Sequence, residues 1–182
     1  MKGKNRTKKI VLIWLIVLVT GVVIWIIPST DVIEGRIDKY RIYDDLDNEP
    51  YLMSDAFIKL DASEYYKMPK SVIDDIKKNS SDYTMYMLDM TFQNVSWHTL
   101  HDLKASLSKE HENVWCDSVL CEGPLDLNAN QEYETSVYLI VKTADFEDRD
   151  IDRLIKSLGI TISSYNGIGG LESSSTIYFT SK

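Results

Sequence analysis

The chain has 182 residues, 44% of them hydrophobic, with 20 Lys+Arg against 28 Asp+Glu and a formal net charge of −8, which suits one modest domain with an appendage. Five basic residues and no acid fall in the first thirty positions, leaving 15 basic and 28 acidic residues in 31–182. That body carries −13 and repels phosphate backbones, which argues against a nucleic-acid partner. Four Pro, eight Gly and 10% aromatic residues exclude a collagenous, low-complexity or broadly disordered chain.

From Ile10 to Ile27 no residue is charged, only Thr20 and Gly21 interrupt the apolar run, and Pro28 closes it. As a helix this run spans roughly 27 Å, close to a bilayer's hydrocarbon thickness, so it is predicted to be a transmembrane signal-anchor. Lys8 and Lys9 would snorkel at one end, and Trp25 falls at an interfacial position. A cleaved secretory signal is the alternative, with Val19 and Gly21 as small residues, but no Ala-x-Ala-like site follows the run. No Cys near its end allows lipid attachment. The positive-inside rule makes residues 1–9 a cytoplasmic tail, with the chain beyond Pro28 extracytoplasmic. The expected location is therefore the cell membrane, with one integral span.

Residues 28–36 read as a stalk, and 37–182 as the extracytoplasmic domain. Ile37–Tyr43 has strand-forming residues, and Asp44–Pro50 is an acidic turn. Ser54 caps a short helix through Phe57 and Leu60, whose i, i+3 spacing shares one face. Pro69 opens another, carrying Val72, Ile73 and Ile76 inward until Asn79-Ser80-Ser81 breaks it. In Tyr83–Gln93, Tyr86, Leu88, Met90 and Phe92 alternate with Met85, Met87, Asp89 and Thr91, a period of two that predicts a strand with one buried face. Asn94-Val95-Ser96 turns the chain, Leu100–Leu107 resumes alternation, and the nearly continuous apolarity of Ser136–Lys142 predicts a central strand. Phe146–Leu158 is a predicted helix: Asp145 caps it, acids fill its first turn, Ile151, Leu154, Ile155 and Leu158 form one stripe, and Gly159 follows. Strands Ile160–Ile162 and Thr176–Thr180 complete the chain, around a glycine-rich turn at Asn166–Gly170. Several strands spaced by turns make the fold class mainly β: an antiparallel sandwich with short helical insertions.

The segments TMYMLDMTFQN, TLHDLKASL, LDLNANQEYETSVYLIVK and EDRDIDRLIKSLGITISSY, between Tyr83 and Tyr165, resemble the immunoglobulin-like domains of many uncharacterised, membrane-anchored exported proteins of Gram-positive bacteria. The likeness covers less than half of the chain. It implies an exported sandwich and carries no catalytic residue across.

Cys116 and Cys121 are the only cysteines, and a local disulfide is expected in an exported domain, ahead of two free thiols. Redox catalysis is disfavoured, since the spacing is not Cys-x-x-Cys. His98, His101 and His111, with Glu110 and Glu112, are the metal-site candidates, but no His-Glu-x-x-His pattern holds them on one face, and no metal site is assigned. The acidic runs Asp45, Asp47, Glu49 and Asp148, Asp150, Asp152 lack the Gly and the bidentate Glu of a calcium loop. Gly167-Ile168-Gly169-Gly170 is a turn rather than a phosphate cradle, because Glu172 replaces the third Gly and no helix follows. Asn79-Ser80-Ser81 and Asn94-Val95-Ser96 match the glycosylation sequon. With no nucleophile–base pair and no cofactor motif, the expected function is a non-enzymatic binding or assembly module facing another protein or the cell envelope. The rivals are an anchored metal-dependent hydrolase using the three histidines and an exported ligand-sensing subunit of a membrane complex.

Overall fold

The computed structural model describes residues 11–19, 32–43, 51–54, 57–120, 126–166 and 172–180. It is mainly β, built from two antiparallel sheets. In chain order the strands are β1 Ile33–Ile42, β2 Tyr83–Asn94, β3 Leu100–Leu107, β4 Val114–Cys116, β5 Glu132–Lys142, β6 Gly159–Asn166 and β7 Glu172–Tyr178. One sheet has the order β1-β2-β5-β4 and the other β3-β6-β7.

The expected N-terminal transmembrane helix is corrected. Residues 11–19, the described part of the expected span, are helical with every side chain exposed. Among the described residues no helix is long and apolar enough to cross a membrane. Ile10 and residues 20–27, the rest of the expected span, lie outside the described residues. The assignments of a signal-anchor and a membrane protein that rested on this helix are therefore unsupported. Part of the expected stalk is also strand, since β1 begins at Ile33, and Val32 and Ile33 are buried.

The alternation read in β2 sets the core. Tyr86, Leu88, Met90 and Phe92 point between the sheets, where they meet Val137, Leu139 and Val141 of β5 and Leu103, Ala105, Ile160 and Ile162 of the facing sheet. The other face of β2 is covered at its first half. Tyr83 and Met85 join Ile140, Phe57, Tyr66, Met68, Ile73 and Ile76 in a second apolar cluster under the helical segment. Helix α1, Lys70–Ile76, follows Pro69 as expected. Ser54 Oγ accepts the Phe57 N–H at 3.1 Å, but the next turn, Phe57–Asp61, is a π-helix. Its wider turn separates residues three apart, so Leu60 is exposed while Phe57 is buried. Helix α2, Asp148–Ser157, buries Ile151 and Ile155, and Leu158 is buried just beyond it.

Both sides of the sandwich are seamed. β1 meets β7 through an Ile37–Phe179 bridge and an Ile33 N–H bond to Ser175 Oγ. Opposite, Ala105 N–H of β3 donates to the Ser118 carbonyl after β4 at 3.1 Å.

Candidate binding surface

The end of the sandwich where β2 turns into β3 is organised by one side chain. Asn94 is fully buried, and its two amide hydrogens are used on backbone carbonyls: Nδ2 donates to His98 O at 2.7 Å and to Leu127 O at 2.9 Å. Its Oδ1 accepts the Ser96 N–H at 2.9 Å and the Ser96 hydroxyl at 2.6 Å. The backbone around it is tied as well. Asn94 N–H donates to Gln131 O, Asn130 N–H to Asn94 O, and Val95 N–H to Val32 O. Leu100 and Leu127 exchange both backbone hydrogen bonds. Asn130 takes φ 61°, a left-handed turn conformation that Asn tolerates. The sequon reading of this tripeptide is thereby closed off at Asn94, whose amide nitrogen is committed inside the protein.

The loop so fixed projects apolar surface. Trp97 is 57% exposed with its ring 4.8 Å from that of His98. Val95 is 38% exposed and Tyr165, beside His101 in the β3–β6 register, 39%. Exposed large side chains on backbone locked by buried hydrogen bonds lose little entropy on binding, a property of recognition sites.

The three histidines take separate roles. His101 Nδ1 lies 2.8 Å from Asp126 Oδ1, and His111 Nδ1 accepts the Asn113 N–H. Among the described residues no group of three or more His, Cys, Asp or Glu side chains could hold a metal ion. Of the calcium candidates, Asp45, Asp47 and Glu49 lie outside the described residues. Asp150 and Asp152 instead pair along α2 with Arg153 and Lys156. The Asn166–Gly170 turn lies outside the described residues from Gly167 onward. Cys116 is a buried thiol that desolvation pushes up from its ordinary value, and Cys121 lies outside the described residues.

Three other features were not visible in the sequence. Asp75 of α1 accepts hydrogen bonds from Lys142 Nζ, Tyr83 Oη and Asn79 Nδ2, which hold its carboxyl well below the usual carboxylate range. Asp75, Tyr83 and Lys142 line an open cleft of about 370 Å³ with Trp115 and Glu112. Asp117, after β4, is pushed up to about 6 by desolvation, with Asp61 adding repulsion and the Val119 N–H opposing it. The exposed half of the large sheet forms a trough of about 500 Å³ whose polar groups satisfy one another: Thr91 and Arg36 bond Asp38, and Ser136 bonds Asp89.

Comparison with models of known protein families finds no match, and comparison with curated proteins finds none either. Among solved structures, the chain is similar to a FixG-related protein from Vibrio parahaemolyticus at 7% identity and a TM-score of 0.29, over 57% of this chain and 85% of that one. A likeness at that score carries no argument about function.

Proposed function

We propose that this chain is a non-enzymatic binding or assembly module that engages a protein or cell-envelope partner through the end of its sandwich. The observation that carries the reading is Trp97, held 57% exposed on a loop that Asn94 fixes from within. Fully satisfied buried polar networks rigidify the backbone they join, and here that backbone carries an aromatic knob. Edge-strand addition is a poorer route for a partner, because the two sheets are seamed at β1–β7 and β3–β4 and β1 carries a bulge between Ile37 and Lys39.

Velocity sedimentation of native extracts tests this. The full chain should travel in a particle larger than its own 20.9 kDa, and Trp97→Ala should return it to the size of the lone chain. A Trp97→Ala protein that stays in the same particle as the wild type would refute the reading.

A further inference from the structure

We infer that the partner surface met by the Trp97 end is basic: a protein segment presenting arginine and lysine side chains around an apolar notch. The inference rests on the binding-module reading and names the chemistry of the partner at that site.

The charges at this end are one-sided. Glu34 and Glu132 flank Gln93 in the β1–β2–β5 register. Asp126 reaches His101, and Glu172 is paired with Tyr165 across β6 and β7. Asp102 follows His101 at φ 52°, in the bulge of β3, and is exposed. The described residues at this end therefore carry five carboxylates, and along the strands the first Lys or Arg is Arg36 on β1 and Lys104 on β3. Arg36 is engaged by Asp38 at 2.6 Å and is also attracted by Glu132, which leaves Glu34, Asp126, Glu172 and Asp102 with no Lys or Arg placed beside them in the register among the described residues. An exposed indole at the same end of the sandwich as these carboxylates suits a guanidinium or ammonium group, which can stack on an aromatic face and also meet acids. Arginine fits better than lysine, because its flat fork serves both contacts at once. The same rim repels phosphate-rich partners, in line with the −13 carried by residues 31–182. The surface would steer such a partner electrostatically, with the apolar knob setting the lifetime of the complex.

The test uses the full chain and two fluorescein-labelled peptides, alternating Arg-Gly and alternating Glu-Gly, followed by fluorescence anisotropy. The Arg-Gly peptide should bind and the Glu-Gly peptide should not, and binding should weaken as salt is raised. Trp97→Ala should weaken it by about tenfold or more, as expected of an aromatic anchor. Glu132→Gln with Glu172→Gln should weaken it severalfold, while Glu112→Gln, in the Trp115 cleft, should leave it unchanged. Absence of Arg-Gly binding, equal binding of both peptides, or equal losses in the Glu112→Gln and the Glu132→Gln/Glu172→Gln proteins would overturn the inference. The module reading falls separately: a Trp97-dependent particle in extracts, combined with no Arg-Gly binding, leaves the module standing and removes the basic partner.

Discussion

The amide of Asn94 and the carbonyl of Leu127 lie 2.9 Å apart in the interior, joining the turn after β2 to the segment that leads into β5. These residues are 33 positions apart in the chain. Through this bond the Trp97 loop and the neighbouring 126–131 segment become one rigid end.

Asn94→Ala should therefore destabilise the domain by about 2–4 kcal/mol, since it leaves the buried Ser96 N–H without its acceptor and removes one of the two donors to each of the His98 and Leu127 carbonyls. Asn94→Asp should be no better. It keeps the acceptor for Ser96 but sets a carboxylate against two carbonyls. Urea unfolding followed by circular dichroism measures both, and wild-type stability in either protein would contradict the role given to this side chain.

Asp117 makes stability depend on pH. Its folded pKa, raised to about 6, lies above the ordinary carboxyl value, so the folded state holds a proton that the unfolded chain has released. Stability contributed by this group is present at low pH and is lost as pH rises through the interval up to about 6. The groups around it are Asp61 and the tyrosines Tyr66 and Tyr51, with Cys116 adjacent, and among the described residues no cation contributes to its shift. Asp117→Asn keeps an oxygen for the Val119 N–H. It should match the wild type near pH 4 and exceed it near pH 7.5 by on the order of 1 kcal/mol, after allowing for solvent screening at a partly exposed site. Urea unfolding at the two pH values measures the difference, and a constant one would contradict the assignment.

Much of this was legible in the sequence where a local pattern decides the outcome. The β2 stripe is local, as are the bounds of β3 and the buried face of α2. The second cover over Tyr83 and Met85 was not, because it depends on the helical segment folding back across the sheet. Nor was the phase break in β3, where Leu100 and Leu103 both turn inward because Asp102 adopts φ 52° between them. β4 has three residues, too few to show a period. The Trp97 surface was missed because Asn94-Val95-Ser96 reads as an ordinary turn. The available signal was an Asx-type turn followed at once by an aromatic residue. The apolar run at Ile10–Ile27 was read as a span from hydropathy, and of that run the structure describes residues 11–19.

Packing at two glycines gives a stability contrast. A Cβ on Gly35 would lie 2.6 Å from Phe92 Cβ and 2.7 Å from the Thr91 carbonyl, both fixed parts of β2. At Gly159 the nearest atom belongs to the ring of Tyr178, which is 56% exposed and can swing away. Gly35→Ala should cost about 1–3 kcal/mol or more, and Gly159→Ala distinctly less. Thermal denaturation of the two proteins checks the order, and the reverse order would contradict it.

The expectation from the sequence is a Cys116–Cys121 bond in protein taken from its native location, whereas the structure holds Cys116 as a buried thiol, and alkylation of denatured protein before and after reduction, read by mass spectrometry, decides between them. Label entering Cys116 only after reduction supports a disulfide. Label entering both cysteines of denatured, unreduced protein rules it out.

The central claim is that the Trp97 end is where the partner sits. It is tested most directly by placing a photo-crosslinking amino acid at position 97 and, in a second protein, at Ser136 on the polar trough of the large sheet. Illumination of intact cells should give a discrete crosslinked product from position 97 and none from position 136. A product from position 136 alone, or none from either position, would contradict the account.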